Sequence, residues 1–188
     1  MYNFFLKRTI DVIFSLVVIL LLSPIFLIVG VLVFLQDKGN PIFKQKRVGE
    51  NKKEFTVMKF RSMPLKTPNV ESHEKEKIKI TPFGSFIRKT NLDELPQFIN
   101  ILRGDMSLVG PRPSLYSQKE LIKLRDKYKA YNCKPGLSGL AQVNSFDGMS
   151  DEKKAYWDGL YANNISFIND VKIFFKTLVY ITKKPPIY

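Results

Sequence analysis

From Val12 to Gln36 the chain is a run of apolar residues without a single charge. At ~1.5 Å per residue it is long enough to cross a ~30 Å hydrocarbon layer. Ser23-Pro24 interrupts the run near its middle. Pro24 has no backbone donor and crowds the carbonyl of Leu20, so a straight helix is disfavoured there, and Ser23 can compensate by bonding back to a carbonyl one turn earlier. Lys7 and Arg8 precede the run, while Lys38, Lys44, Lys46, Arg47, Lys52 and Lys53 follow it. Both ends therefore favour the cytoplasmic face, which a helix that enters, breaks and returns satisfies better than a kinked span. A secretory signal fits poorly, because the run is too long and no small-residue cleavage site precedes Asp37. The pattern predicts a re-entrant membrane-anchoring helix over 1–37 and a membrane-associated domain over 38–188.

Beyond the apolar run, 42–47 and 54–60 read as a β-hairpin around VGENKK, with Phe43, Phe55 and Val57 on apolar positions. Residues 64–79, polar with two prolines, predict a mobile surface loop, and His73 within it has no expected chemistry. Thr81-Pro82 reads as an N-cap and first-turn proline for a short helix through Phe83, Phe86 and Ile87 to Lys89. Asn91 with Glu94 three residues later suggests a capping box opening a second helix from about Leu92 to Leu102, although Pro96 pushes its start later. Residues 104–114 are too rich in Gly and Pro for a helix, 114–131 return to helical spacing, and the stretch after Cys133 reads as a structured loop. Ser166 begins a last amphipathic helix carrying Phe167, Val171, Phe174, Phe175, Leu178 and Ile181, stopped by Pro185-Pro186. Its apolar face suits either the domain or the bilayer equally. The expected fold class is α+β, mainly helical: the membrane helix broken at Ser23-Pro24, a small β-hairpin and amphipathic interface helices.

Length and composition narrow the chemistry. With 188 residues, 45% hydrophobic, the chain has room for one modest domain. A net charge of +13 points to anionic partners: nucleotides, phospholipid headgroups or nucleic acid. One cysteine and one histidine exclude a disulfide framework and a zinc site of the usual four Cys/His ligands, so any metal must be held by oxygen. No helix-turn-helix spacing or internal repeat is present.

The dense polar centre is Arg88-Lys-Thr-Asn-Leu-Asp93-Glu94, then Asp105 and Gly110-Pro-Arg112-Pro113. Two adjacent carboxylates near a helix start, flanked by cations, suit chemistry on a phosphate: one could attack phosphorus and the other hold a divalent ion. The same pair is also an ordinary first-turn capping arrangement. Arg112, stiffened by prolines on both sides, is fit for bidentate phosphate recognition or for a structural ion pair. Cys133 reads as an ordinary small residue, with no histidine to activate it.

These residues, together with Asp11, Ser23-Pro24, Ile42–Gly49, Lys59-Phe-Arg61-Ser-Met63, Arg88–Gln97, Asn100, Arg103–Pro113 and Pro135–Asn144, resemble the small monotopic phosphoglycosyl transferases, also called bacterial sugar transferases, over nearly the whole chain. The resemblance implies transfer of a sugar phosphate from a UDP-sugar to polyprenyl phosphate at the cytoplasmic face of the bacterial inner membrane, with UMP released. It implies Asp93 as the nucleophile that becomes a covalent phosphosugar intermediate, and Glu94 as a magnesium (Mg2+) ligand. Arg112 is expected as a phosphate contact, Lys59 and Arg88 as further anion-binding residues, and Gln142 and Asn144 as facing the nucleotide-sugar. The expected partners are UDP-sugar, polyprenyl phosphate and anionic phospholipid, with no nucleic acid; a homodimer stays open.

One departure stands out: the family commonly continues Ala-Gln-Val-Asn with Gly-Arg, and here Asn144 is followed by Ser145-Phe146-Asp147-Gly148. The chain also ends soon after Lys183-Lys184, with no extra domain expected. Two rival functions remain from the residues alone: the same transfer by direct attack with Asp93 as a base, and a non-catalytic membrane-tethered anion-binding module.

Overall fold

The computed structural model of the chain describes residues 2–65, 80–144 and 149–182. The expected loop and His73, the Ser145–Gly148 departure and the Pro185-Pro186 stop lie outside these, the first apart from its edge at 64–65. Among the described residues the fold is mainly helical with two small two-stranded sheets.

Helix α1 (Lys7–Leu21) and helix α2 (Ser23–Asp37) meet at Leu22 with a bend of 65°. The break falls at Ser23-Pro24 for the expected reason, and Ser23 Oγ donates to the Leu20 carbonyl at 2.9 Å. Among the described residues no single helix is long and apolar enough to cross a membrane, but the bent pair taken together meets that length and composition. One side of the pair is exposed and apolar, through Leu16, Leu20, Ile28 and Leu35 among others, while Val29 and Val33 are buried in the main core. Both ends are bonded to the rest of the molecule. Arg8 donates to the carbonyls of Ile101 and Leu102, and Asp11 accepts from the Leu108 N–H at 3.0 Å. At the far end Arg61 pairs with Asp37.

Strands β1 (Ile42–Val48) and β2 (Glu54–Phe60) form the expected antiparallel hairpin, with Ile42 opposite Phe60 and Val48 opposite Glu54. Its turn places Asn51 and Lys52 in the left-handed region. Val57 is buried and Phe55 packs on the core, but Phe43 is left exposed, because the neighbouring helices cover β2 and not β1. Fully buried Asn100 takes the place of a further strand beside β2: its Oδ1 accepts from the Met58 N–H at 3.0 Å and its Nδ2 donates to the Thr56 carbonyl at 2.7 Å.

Helix α3 (Pro82–Lys89) starts as expected, Thr81 Oγ1 accepting from the Gly84 N–H at 2.9 Å. The next expectation needs correction. There is no capping box at Asn91 and no helix from Leu92: Asn91 is left-handed (φ 56°) without a side-chain cap, Leu92–Glu94 is one 3-10 turn, and helix α4 (Gln97–Arg103) begins only after Pro96. The Glu94 carboxylate, which a capping box would turn back to the Asn91 N–H, is drawn instead to two cations.

The two segments read as loops each hold a short strand. Strands β3 (Ser107–Val109) and β4 (Gly136–Ser138) pair in parallel, Ser107 opposite Gly136 and Val109 opposite Ser138. Gly110 and Gly136 make the crossing possible, since a Cβ on Gly136 would lie 2.1 Å from the Gly110 nitrogen. The helical pattern of 114–131 contracts to helix α5 (Lys119–Lys127) and a 3-10 turn over Ala130–Asn132, because Ser114 bridges to Val48. After β4 come helix α6 (Leu140–Asn144) and helix α7 (Asp151–Asn163), which no apolar stripe announced; a Cβ on Gly159 would lie 2.5 Å from the Tyr128 carbonyl, so α7 packs directly on the backbone after α5. Helix α8 (Phe167–Thr182) starts after Ser166 as expected, buries Ile173, and leaves Phe167, Phe174, Phe175, Leu178 and Ile181 exposed.

Candidate active site

Lys59 is the penultimate residue of β2, Arg88 the penultimate residue of α3, Asp93 and Glu94 occupy the 3-10 turn, and Arg112 follows β3. Folding brings these five together. Glu94 Oε1 accepts from Lys59 Nζ at 2.5 Å and from Arg112 Nη2 at 2.9 Å. Arg88 anchors by donating from Nε to Ser62 Oγ at 2.7 Å, and its charge still acts on Asp93.

The two neighbouring carboxylates are tuned in opposite directions. Burial raises Asp93 above the ordinary carboxylate range, with Lys59 opposing the rise and Glu94 adding to it. Burial would raise Glu94 as well, but Arg112 and Lys59, by charge and by hydrogen bond, hold it at about 2. Lys59 is itself lowered by its burial, against the pull of Glu94. Among the described residues Asp93 forms no ion pair and is 8% exposed. The pair thus separates into a carboxylate clamped in its ionised form by two cations and a largely buried carboxylate with no bonded counter-ion.

Arg47, counted above only among the cations that follow the apolar run, also belongs to this group. Burial, then the neighbouring Arg112, lowers it to about 10, so it stays cationic at neutral pH. It donates to the Pro113 carbonyl at 3.2 Å, and its Nε is buried without a partner among the described residues. Strand alternation carried the signal, since the register places Arg47 on the same face of the hairpin as Lys59. Arg125 was also missed: buried and paired with Asp158 at 2.6 Å, it donates to the Arg112 carbonyl at 2.8 Å. Arg112 is therefore held by Arg125 on its own carbonyl and by Arg47 on the next, beyond the stiffening by its prolines.

Gln142 and Asn144 lie on α6, and a Cβ on Gly139, the residue before that helix, would lie 2.2 Å from the Gly110 carbonyl oxygen, two residues before Arg112. Their amides donate back to the Leu137 and Leu140 carbonyls, and α6 packs against α7 and α8. Cys133 is buried, and its thiol is pushed up to about 12 by that burial, so it is no nucleophile.

Among the described residues no three Asp, Glu, His or Cys side chains converge to cage a metal ion. A magnesium ion bound here would have one carboxylate of the pair as its protein ligand and would depend on phosphate oxygens of a substrate for the rest of its shell. The arrangement as a whole, four cations around one clamped and one unclamped carboxylate, is suited to binding a diphosphate and attacking it.

The family model described as bacterial sugar transferase matches residues 2–184. The chain is similar to the UDP-galactose-lipid carrier transferase of Erwinia amylovora, 39% identical over 98% of this chain and 42% of that protein. It is 40% identical to the UDP-glucose:undecaprenyl-phosphate glucose-1-phosphate transferase of Klebsiella pneumoniae, over 94% of this chain and 40% of that one. The chain thus spans about two fifths of the length of these relatives. Against the exopolysaccharide production protein ExoY of Rhizobium meliloti the identity is 34%, over 92% of this chain and 83% of that protein.

Proposed function

The chain belongs to the bacterial sugar transferase family, and from that premise we propose that it transfers a sugar-1-phosphate from a UDP-sugar to polyprenyl phosphate, releasing UMP. The names of the two longer relatives, with a UDP-sugar as donor and a lipid carrier or undecaprenyl phosphate as acceptor, support the substrate pair. The observation that carries the reading is the split between Asp93 and Glu94 inside a ring of cations.

In the proposed reaction a carboxylate oxygen of Asp93 attacks the sugar-bearing phosphorus. A P–O bond forms to Asp93 as the P–O bond to UMP breaks, and UMP leaves with the electron pair. A phosphate oxygen of the lipid acceptor then attacks the same phosphorus, and Asp93 leaves as a carboxylate, ready for another cycle. Asp93 suits the nucleophile because its carboxylate is largely buried and is not bonded to a cation. Lys59, Arg88, Arg112 and Arg47 are positioned to neutralise the diphosphate, and Glu94 keeps Lys59 and Arg112 in place. Glu94 is the residue that would hold magnesium, which when bound supplies charge neutralisation on the leaving diphosphate.

A lipid acceptor and a soluble donor meet only at an interface. Re-entry of the bent helix pair, with the domain on the cytoplasmic face of the bacterial inner membrane, is supported by its ends: Arg8 and Asp37 are both bonded to the same domain, an arrangement a span would have to pull apart.

The test compares wild type and Asp93→Asn by intact mass and UMP release, using a panel of UDP-sugars with magnesium, with and without polyprenyl phosphate. The expected result is a sugar-phosphate adduct on wild type without acceptor, absent from the variant. UMP release that strictly requires acceptor would exclude the covalent step in favour of direct attack, and lipid or anion binding without turnover of any donor would leave a binding module.

A further inference from the structure

Four successive backbone carbonyls around Arg112 each accept a hydrogen bond. Pro111 accepts from the Gly136 N–H at 2.9 Å, Arg112 from Arg125 Nη1 at 2.8 Å, Pro113 from Arg47 Nη1 at 3.2 Å and Ser114 from the Val48 N–H at 3.0 Å. Pro111 and Pro113 carry no N–H, so the segment is anchored through its carbonyls. Two of the donors are backbone groups of β4 and β1, and Arg47 is one of the cations placed around the diphosphate. Arg125 differs from all three. It is buried, its Nε and Nη2 both reach Asp158 Oδ2 on α7, at 2.8 and 2.6 Å, and Nη1 is left for Arg112. A buried ion pair adds little to stability over an apolar pair of the same size, because desolvation offsets most of the attraction. What it supplies here is a rigid fork aimed at one carbonyl.

We propose that Arg125, oriented by Asp158, is a positioning residue of the transfer: by holding the Arg112 carbonyl it keeps the Arg112 guanidinium beside Glu94, and it touches no substrate itself. The inference rests on the reading of Arg112 as a phosphate contact and adds the residues that set its place. Arg112 Nη2 lies 2.9 Å from Glu94 Oε1, so a chain of bonds runs from Asp158 on α7 through Arg125 and Arg112 to the reacting turn. Arg125 depends on its partner, since without Asp158 its guanidinium would be a buried charge with no counter-ion. The arrangement matters for rate because a charged group displaced by about 1 Å from where charge develops can cost up to about a hundredfold.

The test is a cycle of substitutions in the full chain, read as kcat/KM for UMP release from a UDP-sugar and as the Kd for UDP, which needs no turnover. Arg125→Met together with Asp158→Leu removes both charges and strands neither. With Arg112 in place this pair of changes is expected to lower kcat/KM about tenfold and to weaken UDP binding in parallel. In an Arg112→Ala background it is expected to lower either by less than about twofold, because the group it positions is gone. A loss of equal size in both backgrounds, as general damage to the fold produces, would overturn the inference, and so would no loss with Arg112 in place. Where Arg112→Ala turns over too slowly to measure, the Kd decides by the same criteria. Should the paired variant not fold, Arg125→Lys takes its place, since it keeps a cation for Asp158 without the fork, and the same two outcomes would overturn the inference. If Arg112→Ala by itself changes neither quantity, the phosphate-binding role of Arg112 fails first, and the inference with it.

Discussion

Glu94 keeps its charge because Lys59 and Arg112 both donate to one of its oxygens, whereas buried Asp93 has no such bond and is pushed toward its neutral form. The two carboxylates therefore affect stability with opposite signs. Glu94 is depressed from 4.5 to about 2, so it contributes stability that is fully present above the unfolded value of 4.5 and is lost as pH falls toward 2. The shift is equivalent to at most roughly 3 kcal/mol, and the desolvation of Lys59 offsets part of it. Asp93 is raised, so its ionisation opposes folding at neutral pH, and that penalty is relieved as pH falls through its folded value. In urea unfolding at pH 7, Glu94→Gln is expected to lose about 1–3 kcal/mol, since it strands Lys59 without a counter-charge, while Asp93→Asn is expected to be as stable as wild type or more so. Equal destabilisation by the two changes would contradict this division. Both residues were named from the sequence, but their division was not legible there, because it depends on which cations lie within reach, and these come from four separate segments.

Among the elements, the reacting turn shows how local signals can be overruled. Asn91 and Glu94 have the spacing of a capping box, yet the first real helical residue is Gln97, because Pro96 intervenes and two cations outbid a backbone N–H for the Glu94 carboxylate. What holds α4 in place is Asn100, whose amide occupies two backbone groups of β2 in the manner of a neighbouring strand. Asn100→Ala leaves the Met58 N–H and the Thr56 carbonyl without that partner in the interior. It is expected to cost about 2–3 kcal/mol in a denaturant titration and to lower kcat, because β2 carries Lys59 and α4 abuts Asp93 and Glu94. A variant of unchanged stability would mean the α4–β2 junction does not depend on that amide. The strands β3 and β4 and the helix α7 escaped the pattern for a related reason. Three-residue strands leave no periodicity to detect, and α7 packs through Gly159, Asp158 and Tyr161 rather than through an apolar stripe.

In the molecule as a whole, the bent helix pair and the domain share one core, in which Val29 and Val33 pack with Val57, Phe60, Ile101 and Met106. If the pair is re-entrant, both of its flanks lie on one side of the membrane. Phe5→Cys and Lys44→Cys, each exposed, are then both expected to react with a membrane-impermeant maleimide in inside-out vesicles, while native Cys133, buried with its thiol at about 12, stays silent. Labelling of only one of the two would indicate a span. The break at Ser23-Pro24, the hairpin, the first-turn cap at Thr81 and the amphipathic last helix were all determined by the sequence itself, because each rests on interactions within a few residues: a missing donor, an alternating pattern, a side chain reaching one turn along. The sequence also named the carboxylate pair and most of its cations as types. Only the tertiary structure decided that Arg47 joins them and that Arg125, paired with Asp158, holds the backbone of Arg112. Those contacts join segments dozens of residues apart, and in such contacts charge pairing and burial depend on distances that no local pattern encodes.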